Sequence, residues 1–138
     1  MRNKIADTVK ISALSACICL SACGKKPVEE VDLAKTSLGA VRSALQVYYA
    51  DHEGKFPGTL TELALDGRYL KAIPEVKLPG HPATSAVIYI AAPSVNPKSL
   101  TDSGGFAYYN SDKYPDTKGI VLLNCTHADS KGSPEYLY

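Results

Sequence analysis

The sequence predicts an α+β fold in which a long, amphipathic N-terminal helix packs on a small antiparallel sheet. Three observations predict it. Apolar residues recur at spacings of three and four through Val31, Ala34, Leu38, Val41, Leu45 and Tyr48, which draws one stripe along a helix. Three short β-like runs follow residue 86, namely Val87–Ala91, Phe106–Tyr109 and Ile120–Cys125, each bounded by turn residues. Between helix and runs lies a stretch with Pro74, Pro79 and Pro82, too rich in proline for a helix or a central strand.

The first residues do not belong to this domain. Arg2, Lys4 and Lys10 precede the apolar run Ile11–Leu20, and Leu20-Ser21-Ala22-Cys23 closes it. That is the basic-then-apolar order of a secretory signal, and the run is too short for a spanning helix of about 20 residues. Its end resembles the lipobox of bacterial lipoproteins, which implies acylation of the Cys23 thiol and cleavage before it. The buried acyl chains, at about 0.8 kcal/mol per CH₂, would tether the protein without spanning the bilayer. An ordinary signal cut after Ala22 is the alternative, and both place the domain outside the cytoplasm. The expected organisation is a signal peptide at 1–22, a short tether at 23–30 and one globular domain at 31–138.

Removal of residues 1–22 leaves 116 of the 138, enough for one domain with a core. The mature part carries 12 basic and 13 acidic residues, a balance that gives no footprint for nucleic acid. Cys17 and Cys19 leave with the signal and Cys23 takes the lipid. Cys125 is then the remaining thiol, and no intramolecular disulfide is available.

Gly54 and Pro57 end the helix, because glycine accepts the left-handed cap and proline cannot continue the ladder. Thr59-Leu60-Thr61-Glu62 has the form of a capping box and opens a second, short helix, which Gly67 stops. Gly104-Gly105 lacks the strand–glycine–helix context of a phosphate loop and is expected to be a turn before a strand. Short strands joined by loops of these lengths suggest antiparallel pairing, with the helix as a second layer.

Taken in order, these segments resemble the globular region of type IV pilins and, more closely, the major pseudopilin of type II secretion systems. The resemblance runs through Ser43-Ala44-Leu45-Gln46-Val47-Tyr48-Tyr49, Gly54-Lys55-Phe56-Pro57, Leu60-Thr61-Glu62-Leu63 and Tyr69-Leu70-Lys71-Ala72-Ile73-Pro74. It continues in Gly104-Gly105-Phe106-Ala107-Tyr108, Leu123-Asn124-Cys125-Thr126 and Asp129-Ser130-Lys131-Gly132. It covers roughly three quarters of the chain and rests on order and spacing, since no single segment is specific. It implies a helix-on-sheet fold, a role in building a filament or pseudopilus with other pseudopilins as partners, and no catalysis. The N-terminus departs from the family. Lys25-Lys26-Pro27-Val28-Glu29-Glu30 cannot form the apolar half-helix that anchors pilins and packs them along a filament core. The chain therefore reads as a lipid-tethered relative that keeps the globular module and exchanges the assembly helix for an acyl anchor. Gly24 after the lipidation site favours the outer membrane, by resemblance to enterobacterial lipoproteins.

The resemblance also implies calcium near the C-terminus, where Asp129 and Ser130 occupy the comparable region. Calcium takes six to eight oxygen ligands, and the simpler reading of Asp129-Ser130-Lys131-Gly132 is a turn capped by its aspartate. No other cofactor is expected. His52, His81 and His127 are scattered, with no pair at zinc spacing. Cys125 and His127 are alternate residues on an extended segment and so share a face. A thiol beside a base is a nucleophile's arrangement, but a small buried hydrophobe is the commoner role for such a cysteine; no catalytic residue is assigned. Tyr108, Tyr109, Tyr136 and Tyr138 suit either a protein interface or half-buried strands. Two functions follow: a structural or accessory component of a secretion or pilus machine, or a free-standing envelope lipoprotein that binds a peptide, glycan or small ligand.

Overall fold

The computed structural model describes residues 28–129 and 131–138. The expected signal at 1–22, the expected lipidation site Cys23 and the calcium candidate Ser130 lie outside these residues. Helix α1 spans Val28–Asp51, so it takes in residues 28–30 that the sequence assigned to a tether. At about 1.5 Å per residue its 24 residues run roughly 36 Å. Ala34, Leu38, Val41, Ala44 and Leu45 are buried along one side, as the three-and-four spacing requires. Glu53 and Gly54 then turn left-handed at φ 55° and 78°, and the Gly54 N–H returns to the Tyr49 carbonyl at 3.0 Å. That bond satisfies one carbonyl left open at the helix end.

The second short helix is a single 3₁₀ segment, Leu60–Ala64. Glu62 Oε1 accepts from the Thr59 N–H at 2.9 Å, while Glu62 Oε2 accepts from Tyr48 Oη at 3.0 Å. One carboxylate thus caps this segment and ties it to α1, and Leu60 and Leu63 enter the core.

The sheet has three strands, β1 (Val87–Ile90), β2 (Phe106–Tyr109) and β3 (Val121–Leu123), in the order β1-β2-β3. β2 and β3 are antiparallel with Ala107 opposite Leu122. β1 and β2 are parallel with Ile88 opposite Ala107, which corrects the expectation of an antiparallel sheet. The cause is the β1–β2 connection. Residues 91–105 are long enough to carry the chain back to the end at which β1 began, as parallel neighbours require.

The same connection covers one face of the sheet. Ala92 and Leu100 pack with Ile90, Ala107, Tyr109 and Leu122 in a small apolar cluster, while Phe106, Tyr108, Val121 and Leu123 face α1 in the larger one. Every side chain of β2 is therefore buried. This corrects the interface reading of Tyr108 and Tyr109, both fully buried core residues. Tyr136 and Tyr138 are partly exposed. On the outer edge of the sheet, Arg42 Nη2 donates to the Val121 carbonyl at 3.0 Å and also to the Tyr138 carbonyl, binding helix, edge strand and C-terminal segment together.

Leu38→Ala and Leu45→Ala should each lower the unfolding free energy by about 2–5 kcal/mol, read by chemical denaturation. Serine at Leu38, Val41 and Leu45 together should abolish cooperative melting, since a domain has only about 5–15 kcal/mol in hand; a wild-type melt would refute the packing. Tyr108 Oη donates to the Pro57 carbonyl at 2.7 Å, and burial raises its pKa. Above about pH 10 the unfolded phenol ionises while the folded one keeps its proton, so stability falls as pH rises through that range. Tyr108→Phe should cost about 1 kcal/mol at pH 7 and should flatten the alkaline decline; an unchanged slope would count against this origin.

Candidate functional site

Topology gathers three segments at one end of the sheet. The start of β2 lies beside the end of β3, because those strands are antiparallel. The start of β1 lies there too, because β1 is parallel to β2. His81, in the loop closed by the Val76–Thr84 bridge, precedes β1; Asp102 precedes β2; Cys125 and His127 follow β3. The donor atoms of these four residues all lie within 4.8 Å of one another.

His127 Nδ1 is 3.4 Å from Cys125 Sγ, 3.2 Å from His81 Nε2 and 3.7 Å from Asp102 Oδ1. His81 Nε2 is 3.5 Å from the same Asp102 oxygen. Cys125 and His81 are buried, Asp102 is half-buried, and His127 forms the exposed rim. The Thr126 N–H, 2.7 Å from Asp102 Oδ1, is the main cause holding that carboxyl below its ordinary pKa. Burial pushes the Cys125 thiol up.

The local sequence builds this end of the sheet with care for the backbone. Asp102 stands at φ 54°, a left-handed conformation that aspartate tolerates better than most residues. Asn124, fully buried, accepts from the Thr101 N–H at 3.0 Å and donates to Thr101 Oγ1 and Ser103 Oγ at 2.9 Å and to the Gly104 carbonyl at 3.1 Å. One side chain thereby fixes the loop carrying Asp102 against the strand carrying Cys125. Gly105, at φ 75°, passes so near β1 that a Cβ would sit 2.2 Å from the Ala86 carbonyl oxygen. Only glycine fits, and the expected turn at Gly104-Gly105 is this close crossing.

The structure brings Cys125 and His127 together as their spacing suggested. It corrects the reading of the histidines as scattered, because folding draws His81 onto His127 across 46 positions. No local spacing signals that contact. Asp102 and Asn124 were missed for the same reason, although the glycine pair beside them marks a tight backbone approach.

The calcium region is built as a turn. Asp129 Oδ1 accepts from the Lys131 and Ser133 N–H groups, each at 2.8 Å, and Oδ2 accepts from Tyr138 Oη. Both oxygens are thus engaged by the turn and its tyrosine, as the simpler reading of that segment expected. Glu135, in the adjoining 3₁₀ segment Glu135–Leu137, is fully buried with neither carboxylate oxygen hydrogen-bonded, and burial raises its pKa.

A second feature lies at the C-terminal end of α1. His52 stacks on Tyr48 at 3.7 Å and sets Nδ1 2.9 Å from the Tyr48 carbonyl. A shallow hollow of about 290 Å³ opens beside them, lined also by Glu62, Asp66, Arg68 and Tyr69.

No family model, curated protein or solved structure matches the chain. Among the described residues, no helix is long and apolar enough to cross a membrane.

Asn124→Ala should lower the unfolding free energy by about 2–4 kcal/mol, because the Thr101 N–H and the Gly104 carbonyl lose their partner. Denaturant titration with a loss below about 0.5 kcal/mol would show that Asn124 does not hold the loop.

Proposed function

We propose that the chain is a non-enzymatic, pilin-like module of the cell envelope, lipid-tethered through Cys23 and acting as a structural or accessory component of a type II secretion or type IV pilus machine. The observation that carries this reading is the way α1 lies on the sheet. Its apolar stripe packs on β3 and the C-terminal segment folds back to Arg42, while Leu33, Val47 and Tyr49 remain exposed on the helix. The order of elements agrees with the segments that resemble pseudopilins. The parallel pairing of β1 departs from the sheet that the resemblance implies. Cys125 is buried at the end of the sheet, which favours a structural role for its thiol.

In this reading the lipid replaces the apolar assembly helix, the outer membrane holds the anchor, and other pseudopilins are the partners. A free-standing lipoprotein that binds a peptide, glycan or small ligand is the second reading. The hollow beside Tyr48, His52 and Tyr69 favours it, because aromatic faces next to Glu62, Asp66 and Arg68 offer both stacking and polar contacts.

The test has two parts. Mass spectrometry of the protein from native membranes should find a diacylglyceryl Cys23 at the N-terminus; cleavage after Gly24 with N-methylation of Lys25 would overturn the tether. Photo-crosslinkers at Leu33 and Val47 should capture pseudopilins in intact cells. Crosslinks to none of them, with a lipidated Cys23, would leave the free-standing lipoprotein as the function.

A further inference from the structure

We propose that His81 Nε2, Asp102 Oδ1, Cys125 Sγ and His127 Nδ1 hold a zinc ion in a closed, structural site. This goes beyond the envelope role and does not depend on it.

Distance is the first argument. A tetrahedral ion bound at about 2.0–2.1 Å by nitrogen or oxygen and about 2.3 Å by sulfur has ligand-to-ligand edges of roughly 3.3–3.6 Å. The nitrogen–nitrogen edge here is 3.2 Å, the nitrogen–sulfur edge 3.4 Å, and the two nitrogen–oxygen edges 3.5 and 3.7 Å. Four of the six edges thus lie close to the tetrahedral values, and the other two, from Cys125 Sγ to His81 Nε2 and to Asp102 Oδ1, are within 4.8 Å, near enough for a small inward shift to close the shell.

Valence is the second. A neutral imidazole carries one ring hydrogen, yet His127 Nδ1 faces a sulfur, a nitrogen and an oxygen at once. One ring hydrogen can serve at most one of these contacts well, so hydrogen bonds alone leave part of this polar cluster poorly matched. A cation at their centre satisfies all four lone pairs together. On binding, the Cys125 thiol releases its proton to solvent and both imidazoles bind as neutral ligands.

The donor set selects the metal. Two imidazoles with a thiolate and one carboxylate oxygen in a tetrahedral array suit zinc, whereas calcium and magnesium demand all-oxygen shells and copper(II) favours a tetragonal plane. Four protein ligands leave no open position for water or substrate, which is the mark of a structural site. The supporting contacts have the form of outer-shell partners: the Thr126 N–H on Asp102, and Asn124 fastening the loop behind it. The exposed rim at His127 gives the ion a way in.

The site would fasten the loop before β1, the loop before β2 and the segment after β3, in a domain with a single thiol and so no internal disulfide. The test uses the full chain with Cys17, Cys19 and Cys23 replaced by serine, so that Cys125 is its one thiol and it serves as wild type here, stripped of metal by chelation and titrated with Co²⁺ and then Zn²⁺. Wild type should bind one Co²⁺ per chain, with the visible bands of a tetrahedral ion and a thiolate charge-transfer band that Zn²⁺ erases. Zn²⁺ should also raise the melting temperature. Cys125→Ser should lose the charge-transfer band. His127→Ala alters the exposed rim alone; it should keep the wild-type circular dichroism and lose more than about 100-fold in Zn²⁺ affinity, beyond what loss of an outer partner costs. Absence of the thiolate band in wild type, or an unchanged Zn²⁺ affinity in His127→Ala, would overturn the proposal.

Discussion

The structure depends on burying β2 on both faces. Four consecutive residues, Phe106, Ala107, Tyr108 and Tyr109, have no exposed side chain, so the strand needs cover above and below. Helix α1 supplies one cover with the stripe from Ala34 to Leu45. The β1–β2 connection supplies the other with Ala92 and Leu100. A short hairpin in place of that connection would leave the second face to water and would make the pair antiparallel. Residues 91–105 therefore set sheet topology and sheet cover at once.

That topology is also what assembles the cluster at the end of the sheet. With β1 antiparallel to β2, the loop before β1 would emerge at the opposite end, and His81 would lie a strand's length from Asp102. Parallel pairing places the starts of β1 and β2 together, and the antiparallel β3 delivers Cys125 and His127 to the same place. Gly105 lets the backbones cross closely enough, and Asn124 locks the approach with four hydrogen bonds. Chemistry at this end is a property of strand direction before it is a property of any side chain.

The helix was legible because its signal is local and repeated: a stripe at spacings of three and four, then Gly54 and Pro57 where it stops. The 3₁₀ segment was legible from Thr59 and Glu62, and the turn at Asp129 from Asp129 and Gly132. Strand direction was not, because a run such as Val87–Ile90 carries no mark of which way its neighbour travels; that is decided by the path of residues 91–105. The burial of Tyr109 followed from the same unseen cover, whereas Tyr108 is buried under α1 itself. Of the cluster, Cys125 and His127 were readable as neighbours on one strand face. His81 and Asp102 come from two other segments, and their approach exists only in the folded chain.

The contact between Arg42 and Val121 spans 79 positions, and it has a consequence for the order in which the molecule is made. The helix leaves the ribosome first, but the strand that covers its stripe is among the last segments to follow. If the chain is threaded across a membrane after synthesis begins, Leu38, Val41 and Leu45 travel without their sheet cover for most of that passage. The core is incomplete until Val121 and Leu123 of β3 arrive. Until then the 3₁₀ segment held through Tyr48 and Glu62 is a small part of the cover that α1 needs, and the half-covered stripe is the form of the chain that transport factors would have to recognise and keep from sticking to its neighbours.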